Sequence, residues 1–217
     1  MRSVRENVRR PGPAASLKMR AEILERAEQL FALRGFEGTS LDQIADAVGI
    51  RRPSLLHYFR SKREIYDTVE ADIVSSLTAA TTPIPVTMPP LDALMALLQG
   101  WLEVMLNRPT VARIVLRNTT DFPSRVLERD PLQFMDVVVH RFETIIQAGQ
   151  RDGSFRTILP MVVLNILAPS VVHYVCSADQ LGGGRAYNPA DPDTLVEFMA
   201  GLRRAADGLL SSGRSST

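Results

Sequence analysis

The sequence predicts an all-α protein with a small three-helix head and a larger helical body, and three observations support this. Apolar residues recur at steps of three and four almost throughout, with little of the alternation that marks strands. The run TTPIPVTMPP, residues 81–90, places four prolines in ten residues, and each proline also pushes the residue before it out of the helical region. Charge is unevenly divided: residues 1–65 hold 13 Lys and Arg against 8 Asp and Glu, a net +5, while residues 66–217 hold 12 against 16, a net −4. The head is therefore basic and suited to a polyanion, whereas the body is acidic.

The elements follow in chain order. Residues 1–15 carry Arg2, Arg5, Arg9 and Arg10 before Pro-Gly-Pro and read as a flexible basic arm. A first helix is expected from about Ser16 to Arg34, burying Ile23, Ala27, Leu30 and Phe31 and stopping at Gly35. In EGTSLDQIADAVGI, Thr39 with Asp42, or Ser40 with Gln43, has the spacing of an N-terminal cap, and Gly49 ends the helix that follows. Pro53 lies at the start of a short third helix, about Arg52 to Tyr58, where a missing N–H does no harm. Ser61 and Glu64 have capping-box spacing for a fourth helix with the ridge Ile65, Val69, Ile73 and Leu77.

Beyond the proline run, Leu91, Leu94, Leu98, Trp101 and Met105 share one helix face, and Pro109 ends or redirects that helix. Further helices are expected from about Thr110 to Asn118, Leu132 to Arg151, Leu159 to Cys176 and Thr194 to Leu210. The expected divisions are an arm at 1–15, a head at 16–65, a body at 66–211 and a loose tail at 212–217.

Composition bounds the class. With 217 residues, 45% hydrophobic and 23% charged, the chain matches ordinary globular proteins. A single cysteine, Cys176, forms no internal disulfide, which suits a reducing compartment and a cytoplasmic address. The basic N-terminus lacks the apolar core of a secretory leader. Ile158 to Cys176 is long enough to suggest a membrane span, but Pro160, Asn165, Pro169, Ser170 and His173 interrupt it, so no membrane association is expected.

Two short helices joined by a glycine turn and braced by a first helix form a helix-turn-helix pattern. Side chains at the start of the second, or recognition, helix reach base edges in the major groove, and arginine grips guanine there with two hydrogen bonds. Arg51 and Arg52 occupy that end. Tyr58 lies one turn on, and Lys62 opens the next helix, where free N–H groups attract phosphate. Leu55 and Phe59, four apart, point to the small core.

The run GFEGTSLDQIADAVGIRRPSLLHYFRSKREIY resembles the DNA-binding segment of the TetR family of bacterial transcriptional regulators, over roughly residues 18–66. The resemblance implies a base-reading face at Arg51, Arg52, Pro53 and Leu56, with His57, Tyr58 and Lys62 near phosphates. It also implies that Thr39 or Ser40 contacts the DNA backbone. Leu56 departs from the tyrosine common there, which removes a polar contact but keeps one suited to a thymine methyl. The implied partners are a double-stranded, palindromic operator, a small-molecule effector and a second copy of the chain. Repression is the default action in the family.

For the body the resemblance implies a ligand pocket and a two-helix dimer surface. The helix Leu159 to Cys176 is apolar all round, and the last helix carries Leu195, Phe198, Leu202, Ala205 and Leu209, with Gly201 and Ala206 permitting close approach. Paired with their symmetry mates these helices make a four-helix interface. Candidate pocket walls are Trp101, Met105, Phe134, Met135, Phe142, Met161 and Tyr174, although such stripes are commonly plain core. Asn165 and His173 interrupt an apolar helix and each needs a partner, with a structural hydrogen bond the favoured one and a ligand the other. Arg113 and Arg117 share a face that is either solvated or a clamp for a carboxylate; Arg117 and Asn165 are kept as ligand candidates.

No phosphate-binding glycine loop, nucleophile elbow or catalytic carboxylate pair is present, so no cofactor is expected. His173 with Cys176, and His140 with Glu143, have helical metal-pair spacing, but Asp136, His140, Glu143, Thr144 and Gln147 form a stripe that reads as solvent-facing. No metal is expected. The contending reading is an enzyme or carrier that uses the body pocket, with the head as a docking module.

Overall fold

The computed structural model describes residues 13–81, 84–120, 132–178 and 187–211, with side chains left out at Pro13, Thr120 and 132–135. The flexible arm was expected to reach residue 15, but the first helix already begins at Pro13; the rest of the arm and the tail at 212–217 lie outside the described residues. Helices α1 (Pro13–Arg34), α2 (Leu41–Ala47), α3 (Arg52–Leu55), α4 (Lys62–Thr81), α5 (Pro90–Asn107), α6 (Pro109–Thr120), α7 (Leu132–Arg151), α8 (Pro160–Cys176) and α9 (Pro192–Leu210) follow in order. The protein is all-α. The described residues include one isolated antiparallel bridge, Phe155 to Ser211.

Proline sets several of these starts. α5, α6, α8 and α9 begin on Pro90, Pro109, Pro160 and Pro192, where the absent N–H is one the first turn leaves unpaired anyway. That is why α6 starts at Pro109 and α9 at Pro192, each slightly earlier than apolar spacing suggests. At α9 the Asp191 side chain adds a cap by accepting from the Thr194 backbone N–H.

The chain divides into two compact units, 1–69 and 70–217. In the first, α1 packs on α2 and α2 on α3. Its core holds Ile23, Ala27, Phe31, Ile44, Leu55, Phe59, Ile65 and Tyr66, all nearly sealed from solvent. Tyr66 meets Phe31 and Phe36 edge-on at 4.8 and 5.1 Å, an arrangement worth about 0.5–1.5 kcal/mol per pair beyond area burial.

In the second unit α5 lies among α6, α7, α8 and α9, with α8 also against α6, α7 and α9. This centrality follows from its composition: Leu94, Leu97, Leu98, Trp101, Leu102 and Met105 are all buried. Gly100 lets α4 approach, because a Cβ there would stand 2.9 Å from the Ala80 carbonyl oxygen. The expected ridge of α4 is buried along its whole length, with Ile65 and Val69 in the first unit and Ile73 and Leu77 in the second. Among the described residues, no helix is long and apolar enough to cross a membrane.

Candidate nucleic-acid interface and internal cavity

The head presents its recognition helix through three local devices. Ser40 caps α2 with the full box: its hydroxyl accepts from the Gln43 N–H, and the Gln43 side chain accepts from the Ser40 N–H. Gly49 takes φ +70°, a left-handed conformation that turns the chain between α2 and α3. Pro53 sits in the first turn of α3. The regular part of α3 is shorter than expected, Arg52–Leu55, and a turn carries the chain on to Tyr58. Leu55 and Phe59 point inward, so the segment's other face is free.

That free face carries most of the expected contact residues. Arg51, Arg52, Pro53, Leu56 and His57 are exposed, and Tyr58 is half-buried. Arg51 is the N-cap residue of α3 but makes no side-chain cap. Arg52 pairs with the exposed Asp42 at 3.1 Å. An ion pair in such open surroundings holds weakly and yields to a stronger acceptor.

One expected contact, Thr39, is corrected, and Lys62 has a structural role beside the one expected of it. Thr39 is 1% exposed, and its hydroxyl donates inward to the carbonyls of Gly35 at 2.8 Å and Leu30 at 3.3 Å, so it ties α1 to the turn and faces no DNA. Ser40, next to it, is exposed. Lys62 is half-buried: its ammonium donates to the Phe36 carbonyl at 2.7 Å and lies 4.2 Å from the Phe36 ring centroid, so its first role is to lock the start of α4 to the loop after α1. The α4 cap is also rearranged, because Ser61 accepts from the Glu64 N–H while Glu64 accepts from Arg60.

Sequence reasoning missed Arg20. Its guanidinium donates to the Tyr58 carbonyl at 2.8 Å and lies 4.0 Å from the Phe59 ring centroid. The partners are 38 residues apart, and nothing in the spacing of α1 distinguishes Arg20 from its other basic residues.

The second unit contains a partly open cavity of about 610 Å³, within the range of about 300–1,000 Å³ usual for drug-sized ligands. Its walls come from α4 (Leu77), α5 (Trp101, Met105), α6 (Val115, Leu116, Thr119), α7 (Val138, Val139) and α8 (Leu164 to His173 on one side). Of the expected wall residues, Trp101, Met105 and Asn165 are there. Phe142 is fully buried behind Trp101, stacked at 6.4 Å. Met161 is exposed off the wall, Arg113 is exposed and Arg117 half-buried, and neither arginine lines the cavity. Phe134 and Met135 lie outside the described residues as side chains.

Tyr174 is likewise not a wall residue. It stacks on Phe198 at 4.0 Å, donates to the Pro189 carbonyl at 3.2 Å and lies against Tyr187, fastening α8 to α9; burial there pushes its hydroxyl above the ordinary tyrosine range. Asn165 has the structural bond expected of it, Nδ2 to the Met161 carbonyl at 2.8 Å, and the exposed His173 needs no buried partner. Burial pushes the Cys176 thiol up, and no cluster of three potential metal ligands occurs among the described residues. Of the expected solvent-facing stripe, Asp136, His140, Thr144 and Gln147 are exposed and Glu143 is half-buried.

On α9 the expected dimer residues separate. Leu202 and Ala206 are buried within the chain, so they belong to its own core. The large exposed apolar side chains among the described residues of these helices are instead Met161, Val162 and Ile166 on α8 and Val196 on α9, the last 69% exposed.

A basic helix-turn-helix with arginines at the open end of its recognition helix, followed in the chain by a helical unit, has clear relatives. Residues 23–69 match the family model of bacterial regulatory proteins, tetR family. The regulator RutR of Escherichia coli K12 is 28% identical over 174 residues, covering 77% of this chain and 78% of its own. The transcriptional repressor KstR2 of Mycolicibacterium smegmatis is 30% identical over 149 residues, covering 66% and 71%. The solved structure of the ketosteroid transcriptional regulator KstR2 of Mycobacterium tuberculosis superposes with a TM-score of 0.67 at 24% identity, over 89% of this chain and 95% of that one. With relatives along most of its length that are regulators and not enzymes, the chain belongs to the TetR family and is a DNA-binding transcriptional regulator.

Proposed function

We propose that the protein is a homodimeric repressor that binds a palindromic operator and is released by a small, largely apolar effector held in the body. The cavity carries this reading: about 610 Å³, walled mainly by apolar side chains, with Leu77 of α4 among them. α4 is one uninterrupted helix from Lys62 to Thr81. Its first turn is tied to Phe36 in the head unit, so an effector that displaces Leu77 acts on an element shared with the DNA-binding unit. An effector that prefers the DNA-incompatible arrangement shifts the population and lowers operator affinity.

The contacts proposed for the operator are Arg51, Arg52, Pro53 and Leu56 on bases, with Ser40, His57, Tyr58 and the remaining N–H groups of Lys62 on phosphates. Exposed Val162, Ile166 and Val196 supply the apolar part of the dimer face. A repressor among the relatives supports the sign of regulation. The test is selection of genomic fragments by the purified protein followed by footprinting. Two protected half-sites in inverted repeat, about one helical turn apart, are expected. A single unrepeated site, or a monomer in light scattering, overturns the reading.

A further inference from the structure

We infer that the cavity selects a neutral, mostly apolar molecule carrying a hydroxyl group, and that the Asn165 turn of α8 receives that hydroxyl. The inference rests on the reading of the cavity as the effector site. No Asp, Glu, Lys or Arg stands on the described wall, so a carboxylate or ammonium would lose its hydration with no counter-charge from those side chains. The polar groups there are Thr119, Asn165 and His173. The Thr119 hydroxyl is already given to the Leu116 carbonyl at 2.6 Å.

Pro169 lies inside α8. It has no N–H, so the Asn165 carbonyl four residues earlier loses the bond that an uninterrupted helix would supply. Asn165, Ala168 and Pro169 all line the cavity, so this opened acceptor belongs to a segment of its wall. The Asn165 amide adds a second polar group: one N–H is given to the Met161 carbonyl, and an amide nitrogen has two. A hydroxyl matches both, donating to the opened carbonyl and accepting from the spare amide N–H. A ketone only accepts, and a hydrocarbon meets neither group.

The test uses Trp101, the single tryptophan, which stands on the wall. Its fluorescence is titrated with cyclohexylcyclohexanol, the matching ketone and the matching carboxylate, of which only the ketone absorbs, and weakly, where indole does. The alcohol should bind about tenfold tighter than the ketone, the worth of one hydrogen bond, with the carboxylate weakest. Pro169→Ala restores the N–H and favours the helix, so it should fold and, although it trims the wall for both compounds, weaken the alcohol more than the ketone and remove most of the alcohol's advantage. Ala168→Phe fills the space and should weaken all three. Equal binding of alcohol and ketone, preference for the carboxylate, or equal effects of Pro169→Ala on alcohol and ketone overturns the inference; the cavity reading stands if Ala168→Phe still blocks. No binding by any compound, or binding indifferent to Ala168→Phe, overturns both.

Discussion

The Arg20 guanidinium, on the first helix, donates to the backbone carbonyl of Tyr58 at the far end of the recognition segment, 2.8 Å away. The carbonyls of Ser54 and Leu55 at the end of α3 accept from the N–H groups of His57, Tyr58 and Phe59, and Arg20 supplies a donor to the Tyr58 carbonyl beyond them. A charged side-chain bond of this kind is worth about 1.5–3 kcal/mol. Arg20→Ala should therefore destabilise the head by about 2 kcal/mol in urea unfolding and weaken binding to specific and random DNA alike. Unchanged stability would show that the contact does not brace the segment.

Arg52 and Lys62 should separate in DNA titrations at several salt concentrations. Arg52→Ala removes a base-reading group, so it should cost about 1–3 kcal/mol on the operator and relax one base position. It should hardly change folding, because its pair with Asp42 is exposed. Lys62→Met removes the Phe36 contacts as well as a phosphate partner, so it should lower the melting temperature of the head and weaken every duplex.

The dimer face is tested by a contrast within α8 and α9. Leu202 is 5% exposed, so Leu202→Arg buries a charge in the chain's own core and should destabilise the body by about 3 kcal/mol or more. Ile166 is 47% exposed, so Ile166→Arg should leave the single chain within about 0.5 kcal/mol of its parent while light scattering shows monomer. An Ile166→Arg protein that stays dimeric removes this face from the interface.

Asp191 makes α9 sensitive to acid. The Thr194 backbone N–H and then its hydroxyl hold the carboxyl below its ordinary range, at 2.9 and 2.8 Å. A folded value below the unfolded one means a contribution that is present above the unfolded value and lost as pH falls through the folded one. Melting temperatures scanned downward from neutral pH should show this loss below about pH 4. Asp191→Asn keeps a cap and should flatten that part of the profile, whereas Asp191→Ala should lower stability at neutral pH too. An identical acid limb in Asp191→Asn and the parent would assign the sensitivity elsewhere.

Sequence alone determined what depends on neighbours along the chain. The ridge Ile65, Val69, Ile73 and Leu77, an N-terminal cap at Thr39 or Ser40, the Gly49 turn and the helix 132–151 were legible because helix periodicity and capping are satisfied within a few residues. The family likeness of the head is local in the same sense, lying in one ordered run. Tertiary structure decided what each apolar or polar side chain meets. Thr39 and Ser40 are equivalent as caps in sequence, and only the packing of α1 takes the Thr39 hydroxyl inward. Leu202 and Val196 share a helix, yet one is in the core and the other in solvent, because α5 and α8 cover only part of α9. Arg20 reaches Tyr58 across 38 residues, and Trp101 and Asn165 come to one cavity while Tyr174 turns to α9. Such contacts are set by which helix faces converge, a property of the whole packed chain that no window of sequence contains.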